Sequence, residues 1–404
     1  MASHLTDIPD HLLAEIFLRL PDPTDLARAS AACVTFRQLA TDGSFLRRFR
    51  RLHAPPILGF LRAGGMFRPT MPPHPSAPAA HALALAADFS FSFIPSHCHW
   101  TVQDIRDGRV LLDRDLRRGK PSPVFKDLVV CDPLHRRYVL LPPVPHDIGA
   151  SLEHPFPMVR KVECKPFLVP LGEEEQRLER QHRVIVMAHC KTSLAAFVFS
   201  SSTGQWQAVA SKGWSDLALS ECDMAQMSWV HPFILRRHYA YGCFYWDWVE
   251  FGSDKLLLLD TKNMEFSIAD LPPGEWNKRG LAIVEAGESR LGMFGFRGET
   301  ASDLSYTVAW NKGKSPRQWQ VEKTISLDSG YRYYITDATQ RYLFLTKTSA
   351  SSLENPLDNE LVGYFSIDVK TLKLQRVYHK QHYFMNEAYS YINFPPSLLS
   401  SRRI

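Results

Sequence analysis

The chain has 404 residues, long enough for two or more domains, and its 45% hydrophobic content is that of a globular protein. No apolar run approaches the roughly 20 residues of a membrane helix; the longest candidate, Leu83 to Phe93, is broken by Asp88. A formal charge of +5 is too mild to imply nucleic acid, and seven cysteines, with no two within four positions, argue against a disulfide framework and a Cys-x-x-Cys zinc site. They read as reduced, mostly buried thiols. The opening MASHLTD lacks the basic-then-apolar order of a secretory signal, so cytoplasm or nucleus is expected.

Within Leu5 to Leu39, the residues Ile8, Leu12, Leu13, Ile16, Phe17 and Leu20 predict a helix with a broad apolar stripe, and Pro9 suits its first turn. Pro21-Asp22-Pro23 stops that helix and restarts the chain. Asp22 is the expected N-cap, Pro23 a first-turn residue, and Asp25 complements the positive end of the new helix. Leu26, Ala29, Ala32, Cys33, Phe36 and Leu39 belong to a second and a third helix. Three helices this short bury too little surface to stand comfortably alone. Their apolar excess implies a partner.

On these residues the segment resembles the F-box family: Ile8-Pro9, Leu12-Leu13, Ile16, Leu20-Pro21, Asp25-Leu26, Cys33, Phe36-Arg37 and Leu39 fall where that pattern has its leucine-proline opening, helical leucines and closing aromatic. The family usually has Val-Cys and a late Trp; this chain has Ala32-Cys33 and Phe36, which shortens two side chains at the partner-facing surface. The resemblance implies docking to a Skp-family adaptor, and through it to cullin and a RING subunit. It assigns that contact to Leu5, Ile8, Pro9, Leu12, Leu13, Ile16, Leu20, Pro21, Leu26, Cys33, Phe36 and Leu39.

Ser44 is expected to cap a further helix in which Phe45, Phe49 and Leu52 share a face. Arg47, Arg48, Arg50 and Arg51 lie elsewhere on it, as a solvated face or as a nuclear-localisation or phosphate-contacting patch. The helical part is read as residues 1–53 and the rest as 54–404. Pro55 to Leu61 reads as a buried strand. Five prolines and Gly64-Gly65 make 62–82 a long, poorly ordered loop.

From about Leu83 short strands alternate with turns. Segments ending at Tyr138, Trp206, Phe266, Trp319 and Leu374 superpose: an apolar strand, a turn-forming Asp132, Ser200, Asp260, Asn311 or Asp368, then a large apolar residue. The markers recur at intervals of about 50 to 70 residues, one propeller blade plus loop insertions. A hairpin between a blade's outer strands would return the apolar residue against the neighbouring blade, and stacking into a ring would bury both faces of each sheet. Stretches such as Arg106 to Val110, Leu128 to Pro133, Gly242 to Trp246 and Met264 to Ile268 resemble the propeller-type domain of plant F-box proteins, particularly grass ones. The expected fold is therefore an α+β multidomain chain: a small all-α F-box followed by an all-β propeller, six-bladed with seven as the alternative. The sixth blade is expected from strands near Leu58 and Leu85 together with Tyr389 to Phe394.

Catalytic signatures are missing: there is no Gly-x-Ser-x-Gly elbow, no phosphate loop and no dinucleotide fingerprint. His97-Cys98-His99 carries metal-capable atoms, but strand alternation splits them between two faces, and Asp113-x-Asp115 reads as a charged hairpin end. Glu173 to Arg183 reads as a solvated connection. The aromatic stretch Tyr239 to Trp248 reads as packing between blades, with Trp246 and Trp248 as weak candidates for a substrate-binding surface. The expected function is a non-catalytic adaptor, with no cofactor and no metal: the substrate-receptor subunit of an SCF-type cullin-RING ubiquitin ligase, whose propeller holds a protein substrate. The alternatives are a scaffold unconnected with ubiquitin, a propeller enzyme, or a nucleic-acid binder using Arg47 to Arg51 and Arg114 to Lys120.

Overall fold

The first helix begins where Pro9, with no N–H to lose, takes the N-cap rather than the first turn, its carbonyl accepting the N–H groups of Leu12 and Leu13 at 2.9 and 3.1 Å. The computed structural model describes residues 8–20, 23–94, 99–114, 125–149, 152, 163–170, 181–217, 219–229, 237–247, 253–298, 303–310, 317–349, 361–379 and 388–393. The N-terminal helices are α1 (Asp10–Leu18), α2 (Pro23–Ala32), α3 (Val34–Thr41) and α4 (Gly43–Leu52). Pro23 opens α2 as expected, whereas Asp22 lies outside the described residues. Asp42, not Ser44, caps α4: its carboxylate accepts the Phe45 N–H at 2.9 Å, and Ser44 donates to the same carboxylate from inside the helix. Leu13, Phe17, Leu18, Leu26, Phe45 and Phe49 form one small core between the four helices. Leu52 does not join Phe45 and Phe49; it is 65% exposed, because the helix ends there.

The rest of the described chain is built on six antiparallel sheets, five four-stranded and one three-stranded. Blade one holds β3–β6 (Trp100–Arg106, Arg109–Arg114, Leu128–Asp132, Arg137–Leu140); blade two β7–β10 (Glu163–Val169, Arg183–His189, Ser193–Ser200, Gln205–Gly213). Blade three holds β11–β14 (Arg237–Ala240, Cys243–Asp247, Lys255–Asp260, Glu265–Asp270); blade four β15–β18 (Trp276–Glu285, Arg290–Arg297, Asp303–Trp310, Arg317–Ser326). Blade five holds β19–β22 (Tyr331–Ala338, Tyr342–Ser349, Leu361–Asp368, Leu374–Tyr378). The sixth joins β1 (Ile57–Arg62) and β2 (Phe67–Pro69) to β23 (Ala388–Ile392) from the other end of the chain. In it Ile57 faces Ile392, and Leu61 faces Tyr389.

The expected hairpins are the turns from the third to the fourth strand of each blade, and a local hydrogen-bond device sets them. Asp132, Asp260 and Asp368 each accept two backbone N–H groups two and three residues on, at 2.8 to 3.1 Å. The residue four positions on then takes a left-handed backbone: Arg136, Gly204, Met264 and Leu372 have φ between 51° and 69°. That reverses the chain, and the large residue two places later, Tyr138, Trp206, Phe266 or Leu374, packs against the preceding blade. Asn311 lies outside the described residues, but Trp319 packs in the same way.

Six apolar clusters close the ring. Leu58, Leu83, Val110 and Tyr391 join the sixth sheet to blade one, and Ile57, Phe60, Phe344 and Val377 join it to blade five; four further clusters fill the interfaces between successive blades.

Residues 62–82 do not form a poorly ordered loop: they contain β2 and the start of α5 (Ala77–Ala86), and Leu85 lies in that helix rather than in a strand. The prolines fix turns instead of loosening the chain, and Pro78 sits in the first turn of α5. Thr70 donates to the Ile57 carbonyl at 2.6 Å, Met71 N–H to Val377 and, beyond the segment, Asp88 N–H to Pro133, each at 2.9 Å, so the stretch from Thr70 to Asp88 straps blades five and one together. Nor are the thiols mostly buried: Cys131 and Cys190 are, Cys164 and Cys243 are half-buried, and Cys33 and Cys222 are exposed.

Candidate functional site

Helix α1 is apolar on two sides. Leu13, Phe17 and Leu18 face the helical core, while Leu12 (48% exposed) and Ile16 (51% exposed), one turn apart and in line with exposed Pro9, face solvent. Leu12 and Ile16 so form a small apolar patch on one turn of α1. Arg48 on α4 pairs with Glu15 at 2.5 Å, and His53 meets the Leu18 carbonyl at 2.8 Å, so α1 is held at both ends of its second half. The solvent-facing side is thereby presented on a fixed frame.

The twelve residues assigned to docking therefore separate. Leu12, Ile16, Pro9 and Cys33 are exposed; Ile8, Leu20, Phe36 and Leu39 are half-buried. Leu13 and Leu26 are core residues, and Leu5 and Pro21 lie outside the described residues. Cys33 caps α3, its sulfur accepting the Phe36 N–H at 3.4 Å, and the Phe36 ring meets Phe17 edge-on at 5.1 Å. Val34, at the start of α3, is a further exposed aliphatic residue, at 71%, for which one valine among polar residues gives no periodic signal.

In blades one to five the first strand lies innermost, β23 takes that place in the sixth sheet, and charged residues meet there. Arg237 pairs with Asp104 at 2.8 Å and lies over the Phe167 ring at 4.5 Å; the other Asp104 oxygen accepts the Leu168 N–H at 2.8 Å. Asp337 accepts from Ser390 on the closing strand at 2.7 Å, and burial raises its pKa above the ordinary carboxylate value, opposed by that hydrogen bond. Tyr391 donates to the Gly108 carbonyl at 3.1 Å. Asp104 thus joins blades one, two and three, while the C-terminal strand is tied to blades five and one. Sequence patterning could not find them, since single charges in apolar strands have no spacing rule.

Trp246 is 2% exposed, edge-on to Phe167 at 5.9 Å, so it is a packing residue and not a surface anchor; Trp248 lies outside the described residues. His97, Cys98 and Asp115 also lie outside them, and Asp113 pairs with Lys126 at 2.7 Å. Among the described residues, no group of three or more His, Cys, Asp or Glu is arranged to hold a metal, and no helix is long and apolar enough to cross a membrane.

Residues 5–52 match the F-box-like family. No curated protein matches the chain. Among solved structures, the chain is similar to a mutant of NanB sialidase from Streptococcus pneumoniae, at 10% identity over 55% of this chain and 32% of that one, with a TM-score of 0.33. It is similar also to a puromycin-hydrolyzing peptidase of Mycobacterium tuberculosis (8% identity, 70% of this chain and 39% of that one, TM-score 0.34) and to an oligogalacturonate lyase in complex with manganese (10%, 68% and 62%, 0.35). The chain spans less than two thirds of the length of each, and at such TM-scores the likenesses say nothing of its activity. The chain thus carries an F-box-like domain at residues 5–52, followed by a six-bladed β-propeller of antiparallel sheets.

Proposed function

We propose that this chain is the substrate-receptor subunit of an SCF-type cullin-RING ubiquitin ligase, its F-box-like helices docking on a Skp-family adaptor and its propeller holding a protein for ubiquitination. The observation that carries the reading is the exposed pair Leu12 and Ile16 on an F-box-like helix whose opposite side is already filled. Full burial of an aliphatic side chain is worth about 1.5–3 kcal/mol, so two half-exposed ones offer a partner roughly that much between them. Pro9 and Cys33 extend the contact. The chain performs no bond chemistry; its contribution is effective concentration, which turns a slow bimolecular transfer into a nearly intramolecular one. Cytoplasm and nucleus, where such ligases work, are the proposed locations.

The test is affinity capture from cell extract. The intact chain should bring down adaptor, cullin and RING subunit, and the Leu12→Asp/Ile16→Asp variant should bring down none of them while retaining propeller-bound proteins. Equal recovery of adaptor by both would refute the reading.

A further inference from the structure

Every strongly basic side chain before Lys120 is an arginine, fourteen in all, and Lys120 is the first lysine. From there on the two types are mixed, 16 lysines with 17 arginines. The arginine-only stretch takes in α1 to α4, β1, β2, α5 and the first two strands of blade one.

The fold does not require this choice. Arg19, Arg28, Arg37 and Arg48 are exposed on the N-terminal helices or at their ends. Arg28 uses one nitrogen, Nη1, on Asp25 at 3.0 Å, and Arg48 one, Nη2, on Glu15. Among the described residues, the side chains of Arg19 and Arg37 make no hydrogen bond or ion pair. None of the four uses the paired donors that set a guanidinium apart from an ammonium, and arginine and lysine rank nearly alike in helices. Lysine would serve the helices as well.

What separates the two is reactivity. A lysine amine attacks the thioester carbonyl at the C-terminus of ubiquitin: an isopeptide C–N bond forms, the C–S bond breaks, and the carrier enzyme's thiol leaves with the proton that the amine gives up. A guanidinium stays protonated and accepts nothing. On the receptor reading the chain is itself tethered to the ligase, so its own amines meet the charged ubiquitin at a high effective concentration, as a captured protein does.

We propose that residues 1–119 are kept free of ubiquitin acceptors, so that self-modification falls on later, exposed lysines such as Lys191, Lys262, Lys323 and Lys370 and spares the docking helices and the closing sheet. The inference rests on the receptor reading and adds the place of modification to it. Lys347 is withdrawn from transfer, its Nζ lying 3.5 Å from the Tyr331 ring centre and 3.3 Å from Asp328.

The test assembles the full chain with purified Skp-family adaptor, cullin and RING subunit, ubiquitin, and its activating and conjugating enzymes, with no substrate. Conjugates are mapped by mass spectrometry, and adaptor capture is measured in parallel. The wild-type chain should carry ubiquitin at exposed propeller lysines. Arg19→Lys/Arg28→Lys/Arg37→Lys should gain it at one or more of positions 19, 28 and 37, whereas Gln at the same three positions should gain none; the single Arg→Lys variants serve if the triple one loses the adaptor. Propeller conjugates with nothing at the three positions of the lysine variants would overturn the proposal, because the helices would then be out of reach whichever cation they carried. So would a lack of conjugates on chains that all capture the adaptor. A wild-type chain that captures no adaptor would refute the receptor reading itself.

Discussion

His74 is a buried imidazole in a segment made largely of turns. Its Nδ1 accepts the Ser76 N–H at 3.1 Å, which requires the neutral ring, and burial pulls its pKa from 6.5 to about 4. The unfolded chain therefore binds a proton between those values and the folded chain does not. Stability should fall as pH drops from about 6.5 to about 4 and then level off in this contribution. Asn in place of His keeps an acceptor for Ser76 but cannot titrate. In melting curves across this range, His74→Asn should lose less stability toward acid than the wild-type chain; parallel curves would show that His74 is not the group responsible. Legibility at this scale follows locality. The turns at Asp132, Asp260 and Asp368 were readable because carboxylate, N–H partners and left-handed residue lie within five positions. The Asp104–Arg237 pair was not, because its partners are brought together only by the ring.

At the scale of elements, the C-terminal strand carries the closure. Its aromatic, β-branched run ending before Pro395 was enough to expect pairing with the N-terminal part of the propeller, and β23 does pair with β1 along its length. Tyr391 is fully buried, edge-on to Phe67 at 5.8 Å and Phe89 at 5.4 Å, and its hydroxyl reaches Gly108. Truncation after His382 removes that ring and uncovers the edge of β1. The loss of one large buried aromatic alone costs about 3–5 kcal/mol, so the truncated chain should melt several degrees lower and aggregate. An unchanged melting temperature would contradict closure by β23. Residues 62–82 are not legible as a strap because proline and glycine counts do not distinguish a loose loop from a chain of fixed turns; their anchors, at Ile57 and Val377, lie in other elements.

For the whole molecule, the helical core and the six interblade cores are separate sets of residues, so the ring is complete without α1 to α4. A chain beginning at Ala54 should be soluble, with a circular dichroism spectrum dominated by β-structure; a mainly helical spectrum would contradict this division. Blade number was legible from five turn markers plus a closing pair. The division of α1 into a filled and an open side was only half legible, since periodicity marks apolar positions without saying which of two neighbouring stripes a small core will use.

The central claim is that the open side of α1 is a docking surface, and its most direct measurement is a calorimetric titration of purified Skp-family adaptor into the intact chain and into Leu12→Ala/Ile16→Ala. Because both side chains are half-exposed, their truncation should leave the melting temperature nearly unchanged while weakening adaptor binding by about 2 kcal/mol or more, at least thirtyfold in Kd. Wild-type affinity in the double variant, or no binding by either chain, would contradict the account.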